Sequence, residues 1–362
     1  MGNYKIAVME GDGIGPEIVR ETIKVLNAVH SIVEGLHLEF RYFPVGLAGY
    51  ESKGSTLPNE TIEGLKNCHA GILGPVTTHI YETTDPNMIN PSGALRKKFD
   101  LYANIRPAKN YVGVNTRYEN VDLVIVRENT EGMYSDRNLY FGSGEFMPDP
   151  DTVLSLRVVT RKASERLAKV GFELANTRRK SVTLVHKMNV LRKGCGLFYD
   201  SCKSVGSEYK DVSIRDYHVD AFALYLVQKP EVFDVVVTTN MFGDILSDQA
   251  AGLVGGLGLA PGLNLGDHFM IAQATHGSAP DIAGKNIANP VAEILSAKMM
   301  LEWLGIRNND QSALDAALLI QKAVEEAFKQ NLKTPDLGGS LSTDQYGDSL
   351  VKELEKLVLQ KQ

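Results

Sequence analysis

Asp244 and Asp248 stand four residues apart in the stretch Thr238-Thr239-Asn240-Met241-Phe242-Gly243-Asp244-Ile245-Leu246-Ser247-Asp248. On a helix that spacing points both carboxylates to one side. Paired carboxylate oxygens suit a hard divalent cation such as Mg²⁺ or Mn²⁺. The apolar run Val235–Val237 reads as a buried strand in front of them, with Gly243 breaking it before a helix begins. Acidic residues near a helix start also complement its dipole, so the pair gains chemical meaning only from the rest of the chain.

Three arginines supply a possible partner chemistry. Arg96 follows Asn90-Pro91-Ser92-Gly93-Ala94-Leu95. Arg106 and Arg127 each end an apolar, strand-like run. Strand ends are where α/β proteins bind ligands, and the forked guanidinium matches carboxylates. Singly, each is equally an ordinary surface arginine; together they suggest a pocket for a polycarboxylate. Tyr134 and Lys187 offer a hydroxyl and an amine, able to act as acid and base if their proton affinities are tuned, or to serve as a core tyrosine and a solvated lysine. Gly11-Asp12-Gly13-Ile14-Gly15 follows a first strand but is neither G-x-G-x-x-G nor a Walker loop. It is a tight turn or the edge of a ligand site. His276-Gly277-Ser278-Ala279-Pro280-Asp281-Ile282 is a small-residue loop that lets backbone approach a flat cofactor. An aspartate there can accept from ribose hydroxyls and repel a 2′-phosphate.

These residues need a frame. The chain has 362 residues, 43% hydrophobic and 23% charged, enough for one large domain or two lobes. Strands expected at Lys5–Met9, Leu38–Val45, Ala70–Leu73, Asp122–Val126, Val182–Val185, Val212–Val219 and Phe233–Val237 alternate with helical patterns. That order implies an α/β fold with a largely parallel sheet. Tyr134–Pro150, rich in Gly, Asp, Asn and Pro, reads as an excursion from the compact body. A net charge of −6 argues against a general nucleic-acid or anionic-membrane binder. No apolar run is long enough to span a membrane. Three scattered cysteines, Cys68, Cys195 and Cys202, suggest reduced thiols and a cytoplasmic location.

In combination and order, GDGIGPE (Gly11–Glu17), VRENTEGMYS (Val126–Ser135), HKMNVLR (His186–Arg192), MFGDILSD (Met241–Asp248) and HGSAPDIAGKNIANP (His276–Pro290) resemble the β-decarboxylating dehydrogenases of the isocitrate, homoisocitrate, 3-isopropylmalate and tartrate/D-malate type. The resemblance spans almost the whole chain. It implies the isopropylmalate/isocitrate dehydrogenase-like fold: two lobes around a mixed sheet, with a non-Rossmann cofactor site. Residues 1–100 plus 255–362 would form the large cofactor-binding lobe. Residues 101–254 would form the small lobe, with a dimer-forming arm near 134–157. Arg96, Arg106 and Arg127 would hold the malate carboxylates, with Asn189 also at the substrate. Lys187 would be the general base and Tyr134 the acid that protonates carbon. Asp220 would join Asp244 and Asp248 as a ligand of Mg²⁺ or Mn²⁺. Thr78, His276, Gly277, Ser278, Ala279, Asp281, Ile282 and Asn289 would line the cofactor. The resemblance further implies a homodimer whose sites borrow Lys187 and Asp220 from the neighbour.

Substrate choice in such enzymes lies just before Arg96. Asn90 and Ser92 resemble, in swapped order, the polar pair that isocitrate enzymes place on a third carboxylate. The leucines of isopropylmalate enzymes are missing at Ser92 and Gly93. Isocitrate is therefore the expected substrate, with homoisocitrate, 3-isopropylmalate and tartrate/D-malate as alternatives. Asp281-Ile282, in place of a Lys-Tyr pair, favours NAD over NADP. A reading of a different class, a non-catalytic regulatory subunit of a hetero-oligomeric dehydrogenase, is disfavoured because Tyr134, Lys187, Asp220, Asp244 and Asp248 are all present.

Overall fold

The computed structural model describes residues 2–81, 84–134, 139 and 142–360. Within them, twelve strands are numbered along the chain: β1 (Gly2–Met9), β2 (Leu36–Tyr42), β3 (Ala70–Leu73), β4 (Ala103–Lys109), β5 (Asp122–Glu128), β6 (Glu145–Asp149), β7 (Thr152–Ser155), β8 (Ser181–His186), β9 (Ser213–His218), β10 (Val235–Thr238), β11 (Leu263–Leu265) and β12 (Met270–Ala272). Ten of them make one sheet in the order β2-β1-β3-β12-β11-β4-β5-β10-β8-β9.

The sheet is largely parallel, as expected, but mixed, with antiparallel pairings at its centre. β2-β1-β3-β12 and β5-β10-β8-β9 are two parallel wings. Antiparallel pairs of β11 with β12, β11 with β4, and β4 with β5 join them. The wings obey the helix-alternating pattern because parallel neighbours need crossovers. The centre does not, because antiparallel neighbours accept short links. β11 and β12 are too short and too local to show a period.

The fold is two-lobed. One core packs Ile6, Val8 and Ile18 against Leu301, Ile320, Phe328 and Leu350, from opposite ends of the chain. Elsewhere the middle of the chain builds its own cores, around Phe172, Leu184 and Val237 on one side and Phe222, Phe233 and Leu246 on the other. The all-apolar runs Leu123–Val126 and Val235–Val237 are buried throughout, as strands covered on both faces must be.

Local signals explain the long helices. Asp310 caps Gln311–Lys329 by accepting from Ser312 N at 3.0 Å. Ser342 and Gln345 form a capping box at the start of Thr343–Leu359. The excursion after Tyr134 contains an antiparallel ribbon, β6 with β7, outside the main sheet and exposed throughout. Ser135–Asn138, Tyr140 and Phe141, part of the same expected arm, lie outside the described residues. Among the described residues no helix is long and apolar enough to cross a membrane. Cys68, Cys195 and Cys202 are free thiols, the last two buried.

Candidate active site

The helix after β10 runs Asn240–Leu253, starting at Asn240 and passing through Gly243 rather than after it. Gly243 is there for space. A Cβ on it would fall 2.6 Å from Arg127 Cγ and 2.7 Å from Arg127 Cβ. The bare backbone lets the buried Arg127 side chain of β5 cross beneath the helix. Its Nε and Nη2 then both donate to Asn240 Oδ1, at 2.9 and 2.7 Å, and its Nη1 donates to Asp244 Oδ1.

Arg106 does not end its strand. It sits mid-way along β4, since Pro107 and Ala108 continue the pairing with β5. Its Nη1 donates to Ser247 Oγ at 2.7 Å and Asp244 Oδ1 at 3.1 Å, and lies 3.7 Å from Asp248 Oδ1. Both aspartates therefore share one face, as their spacing requires. Asp244 lies beyond the first helical turn, where the dipole contributes little, so its charge is matched by arginine instead. Tyr134 completes the cluster, its hydroxyl donating to Asp244 Oδ2 at 2.9 Å. Arg96 lies on the helix Pro91–Lys98, not at a strand end.

The electrostatics follow from crowding. Burial and the neighbouring Arg127 push the Arg106 guanidinium down to about 10, against the pull of Asp244 and Asp248, so it remains cationic at neutral pH. Burial acts to raise the Asp244 carboxyl, but Arg127 and Arg106 overcome it and the net shift is downward. Burial, then Asp244 itself, raises Asp248 despite Arg106.

These groups open on one cleft. Its wall includes Thr78, Asn90, Ser92, Gly93, Arg96, Arg106, Arg127, Tyr134, Asp244, His276 and Gly277. Its volume is about 230 Å³, below the roughly 300–1,000 Å³ of sites for drug-sized ligands. It has room for a small acid, while a dinucleotide would extend beyond it. Asn90, Ser92 and Arg96 belong to one short helix: Asn90 caps its start, accepting from Gly93 N at 3.1 Å, and Arg96 lies in its last turn.

The remaining cofactor candidates belong to the adjoining loop. Asp12 explains how the glycine turn holds it. The buried Asp12 carboxylate accepts from Thr77 N at 2.8 Å, Tyr81 Oη at 2.5 Å and Leu47 N at 2.7 Å. Ile14 N donates to the Ser278 carbonyl at 2.9 Å. A Cβ on Gly13, whose φ is 59°, would lie 2.0 Å from that carbonyl oxygen. The turn is thus a joint between the Thr77 and Ser278 loops. Thr77 Oγ1 also donates to Ser278 Oγ at 2.6 Å. Ala279 adopts a φ of 39°. Burial lowers the His276 imidazole pKa, against the upward pull of the Gly277 carbonyl, which lies 3.0 Å from its Nδ1. Asp281 is exposed, while Ile282 packs against the core. Asn289 donates to Asp336 at 2.9 Å and accepts from Val291 N at 3.0 Å.

Asp248, although 3.7 Å from Arg106, is not on the cleft wall, and Lys187, Asn189 and Asp220 stand apart from the whole cluster. Lys187 Nζ donates to Asp220 Oδ1 at 2.5 Å, and Asn189, two residues after Lys187, is exposed in the segment after β8. Among the described residues no three acidic, His or Cys side chains are grouped so that they could hold a metal ion. Asp244 and Asp248 fit a hard cation in donor type, but as two carboxylates they are an incomplete set. Asn240, Ser247 and Gln273 were not anticipated. Asn240 and Ser247 sit inside the Asp244 motif and were readable there, whereas nothing local marks Gln273.

The isocitrate/isopropylmalate dehydrogenase family model matches residues 5–350. The chain is 45% identical over 358 residues to the 3-isopropylmalate/3-methylmalate dehydrogenase of Methanocaldococcus jannaschii, covering 98% of this chain and 99% of that one. It is 43% identical over 355 residues to the isocitrate/homoisocitrate dehydrogenase of Thermus thermophilus, covering 98% and 99%. The crystal structure of isocitrate dehydrogenase from Methylococcus capsulatus superposes with a TM-score of 0.86 at 40% identity, covering 97% of this chain and 99% of that one. With this match along its length, its fold and its motifs, the chain belongs to the isocitrate/isopropylmalate dehydrogenase family.

Proposed function

We propose that the protein oxidises a 3-substituted malate at C2 with reduction of NAD and loss of the β-carboxylate as CO₂, isocitrate being the leading substrate. The observation that carries this reading is the convergence of Arg96, Arg106, Arg127, Tyr134 and Asp244 on one small cleft, with polar Asn90 and Ser92 on its wall. The arginines bind and orient the two malate carboxylates. Asp244 and Asp248 would hold Mg²⁺ or Mn²⁺, which when bound polarises the substrate hydroxyl and the developing carbonyl. Tyr134, oriented by Asp244, delivers a proton to C3 after decarboxylation. Lys187 removes the C2 hydroxyl proton. His276 and Gly277 would line the adenosine side of the cofactor, and the exposed Asp281 would meet its ribose hydroxyls.

Lys187 and Asp220 pair with each other outside this chain's cleft wall. We therefore place them in the site of a second copy, Asp220 completing that copy's carboxylate set. Exposed Leu224, Val227, Met241 and Ile245 on the helices Val219–Gln228 and Asn240–Leu253, with Phe146, Met147, Val153 and Leu154 of the ribbon, offer the apolar surface such a homodimer needs. In this scheme residues 1–100 plus 255–362 form the cofactor lobe and 101–254 the lobe that dimerises.

The test is turnover of isocitrate, homoisocitrate, 3-isopropylmalate, D-malate and tartrate by the purified chain, each with NAD and with NADP, in Mg²⁺. Isocitrate with NAD should give the highest kcat/KM. Absence of turnover with every acid would favour the regulatory-subunit reading, and a clear preference for 3-isopropylmalate would overturn the polar-pocket argument alone.

A further inference from the structure

A chain of buried side-chain amides runs from the cleft wall into the sheet: Asn104 and Gln273 lie on the wall itself and Asn264 connects them from behind. The sheet register sets Asn104 of β4 opposite Arg127 of β5 and opposite Asn264 of β11. Gln273 follows β12 directly. Arg106 Nε donates to Asn104 Oδ1 at 2.5 Å, and Asn104 Nδ2 donates to Asn264 Oδ1 at 2.7 Å. Asn264 Nδ2 reaches Gln273 Oε1 at 3.4 Å, and Ser92 Oγ donates to the same oxygen at 3.0 Å. Asn104, Asn264 and Gln273 are all less than a tenth exposed.

The direction of this chain is set by groups that cannot reverse their roles. A guanidinium only donates, so Asn104 turns its oxygen to Arg106 and its NH₂ to Asn264. Asn129, whose NH₂ also faces the Leu101 carbonyl at 2.9 Å, gives Asn264 Oδ1 a second donor at 3.0 Å. Gln273 Nε2 faces the Gly74 carbonyl at 3.5 Å. Gln273 must then present its oxygen to Ser92, and Ser92 has a single proton to give. Asn90 is polarised the opposite way: its oxygen is committed to Gly93 N, which leaves its NH₂ as the donor.

We propose that Gln273 is a specificity-determining residue: by holding the Ser92 proton it turns Ser92 into a hydrogen-bond acceptor toward the substituent at C3 of the substrate, next to the donor Asn90. The inference rests on the reading of this cleft as a site for 3-substituted malates. A hydroxyl substituent satisfies both residues. The isocitrate carboxylate, carried on a CH₂ at C3, satisfies Asn90 and engages the Ser92 proton only by displacing its bond to Gln273, so Gln273 narrows the advantage of isocitrate over an alkyl substituent without reversing it. An alkyl group satisfies neither.

The experiment compares tartrate, isocitrate and 3-isopropylmalate, reading kcat/KM and, by calorimetry, Kd. Ser92→Ala should cost tartrate about five- to tenfold more than isocitrate, the worth of one neutral hydrogen bond. Gln273→Met frees the serine proton and should raise the isocitrate-to-isopropylmalate ratio about fivefold. A merely structural role for Gln273 would lower both acids alike and leave that ratio unmoved. A greater loss for isocitrate than for tartrate in Ser92→Ala overturns the inference even if Gln273→Met does not fold. The expected Kd ratios without turnover would refute the catalytic reading and leave the polarity of Ser92 standing. A protein that binds none of the three overturns both.

Discussion

Gly243→Ala sets two well-defined effects against each other. Alanine in place of glycine inside a helix gains about 1 kcal/mol. Here, however, the new methyl would sit 2.6 Å from Arg127 Cγ and 3.2 Å from Arg127 Cα, roughly 0.9 Å inside the ~3.5 Å at which carbon pairs pack best. Arg127 is 2% exposed and both its flanks are occupied, by Asn240 and Asp244, so the stem has nowhere to turn. Either the helix Asn240–Leu253 lifts from β5 or the guanidinium moves. Overpacking of this kind costs about 1–3 kcal/mol, leaving a net loss of about 0–2 kcal/mol once the helix gain is subtracted. The functional effect should be larger than the stability effect. The displaced groups, Arg127 and Asp244, both line the cleft, and a misplacement near 1 Å costs on the order of 100-fold. The assay pairs kcat/KM for the best substrate with the urea midpoint of the same preparation. The expected variant is folded, slightly destabilised and about 10- to 100-fold slower. A variant that gains about 1 kcal/mol and keeps wild-type kcat/KM would show that Arg127 does not need the space, and the account of this glycine would be wrong.

Asp244→Asn should lose both turnover and Mg²⁺ dependence, since it removes a carboxylate placed between Arg106, Arg127 and Tyr134; full wild-type activity in excess chelator would refute the metal assignment. NAD should be preferred over NADP because Asp281 meets the 2′-phosphate with like charge, and Asp281→Lys with Ile282→Tyr should shift the kcat/KM ratio toward NADP, an unchanged ratio counting against the placement. Tyr134→Phe should impair protonation at carbon while sparing the oxidation step, read as slowed exchange of solvent deuterium into product; unaltered exchange and turnover would return Tyr134 to a structural role. Glu293 is fully buried, accepts from Ala274 N at 2.7 Å, and burial raises its carboxyl to about 8. The folded state therefore holds a proton that the unfolded chain releases near 4.5. That contribution is complete below 4.5 and declines as pH rises through about 8, by at most ~1.4 kcal/mol per pH unit. Glu293→Gln keeps the acceptor but cannot ionise, so its thermal midpoint should lack that decline; parallel curves from pH 5 to 9 would refute the shift.

What could be read from the chain alone was whatever depends on residue type and local spacing. The Asp244–Asp248 pair, the carboxylate-matching arginines, the failed dinucleotide fingerprint and the alternation of strand and helix all belong to that class, because helix and strand periods are properties of short stretches. The motifs reached further, to the family, because together they span the chain. The tertiary structure decided the rest. Arg106 looked like a strand end because an apolar run stops there, yet β5 pairs with it past Pro107. Gly243 looked like a break, yet its role is set by a side chain 116 positions earlier, at Arg127. Lys187 and Asp220 carry the right chemistry, but their own chain's cleft wall does not include them. The polarity of Ser92, on a helix, passes through Gln273, Asn264 and Asn104 to the Arg106 guanidinium of β4. A sequence specifies which groups can donate and accept. Only the register of β4, β11 and β12 brings them within 3.5 Å and makes each donor's direction compulsory.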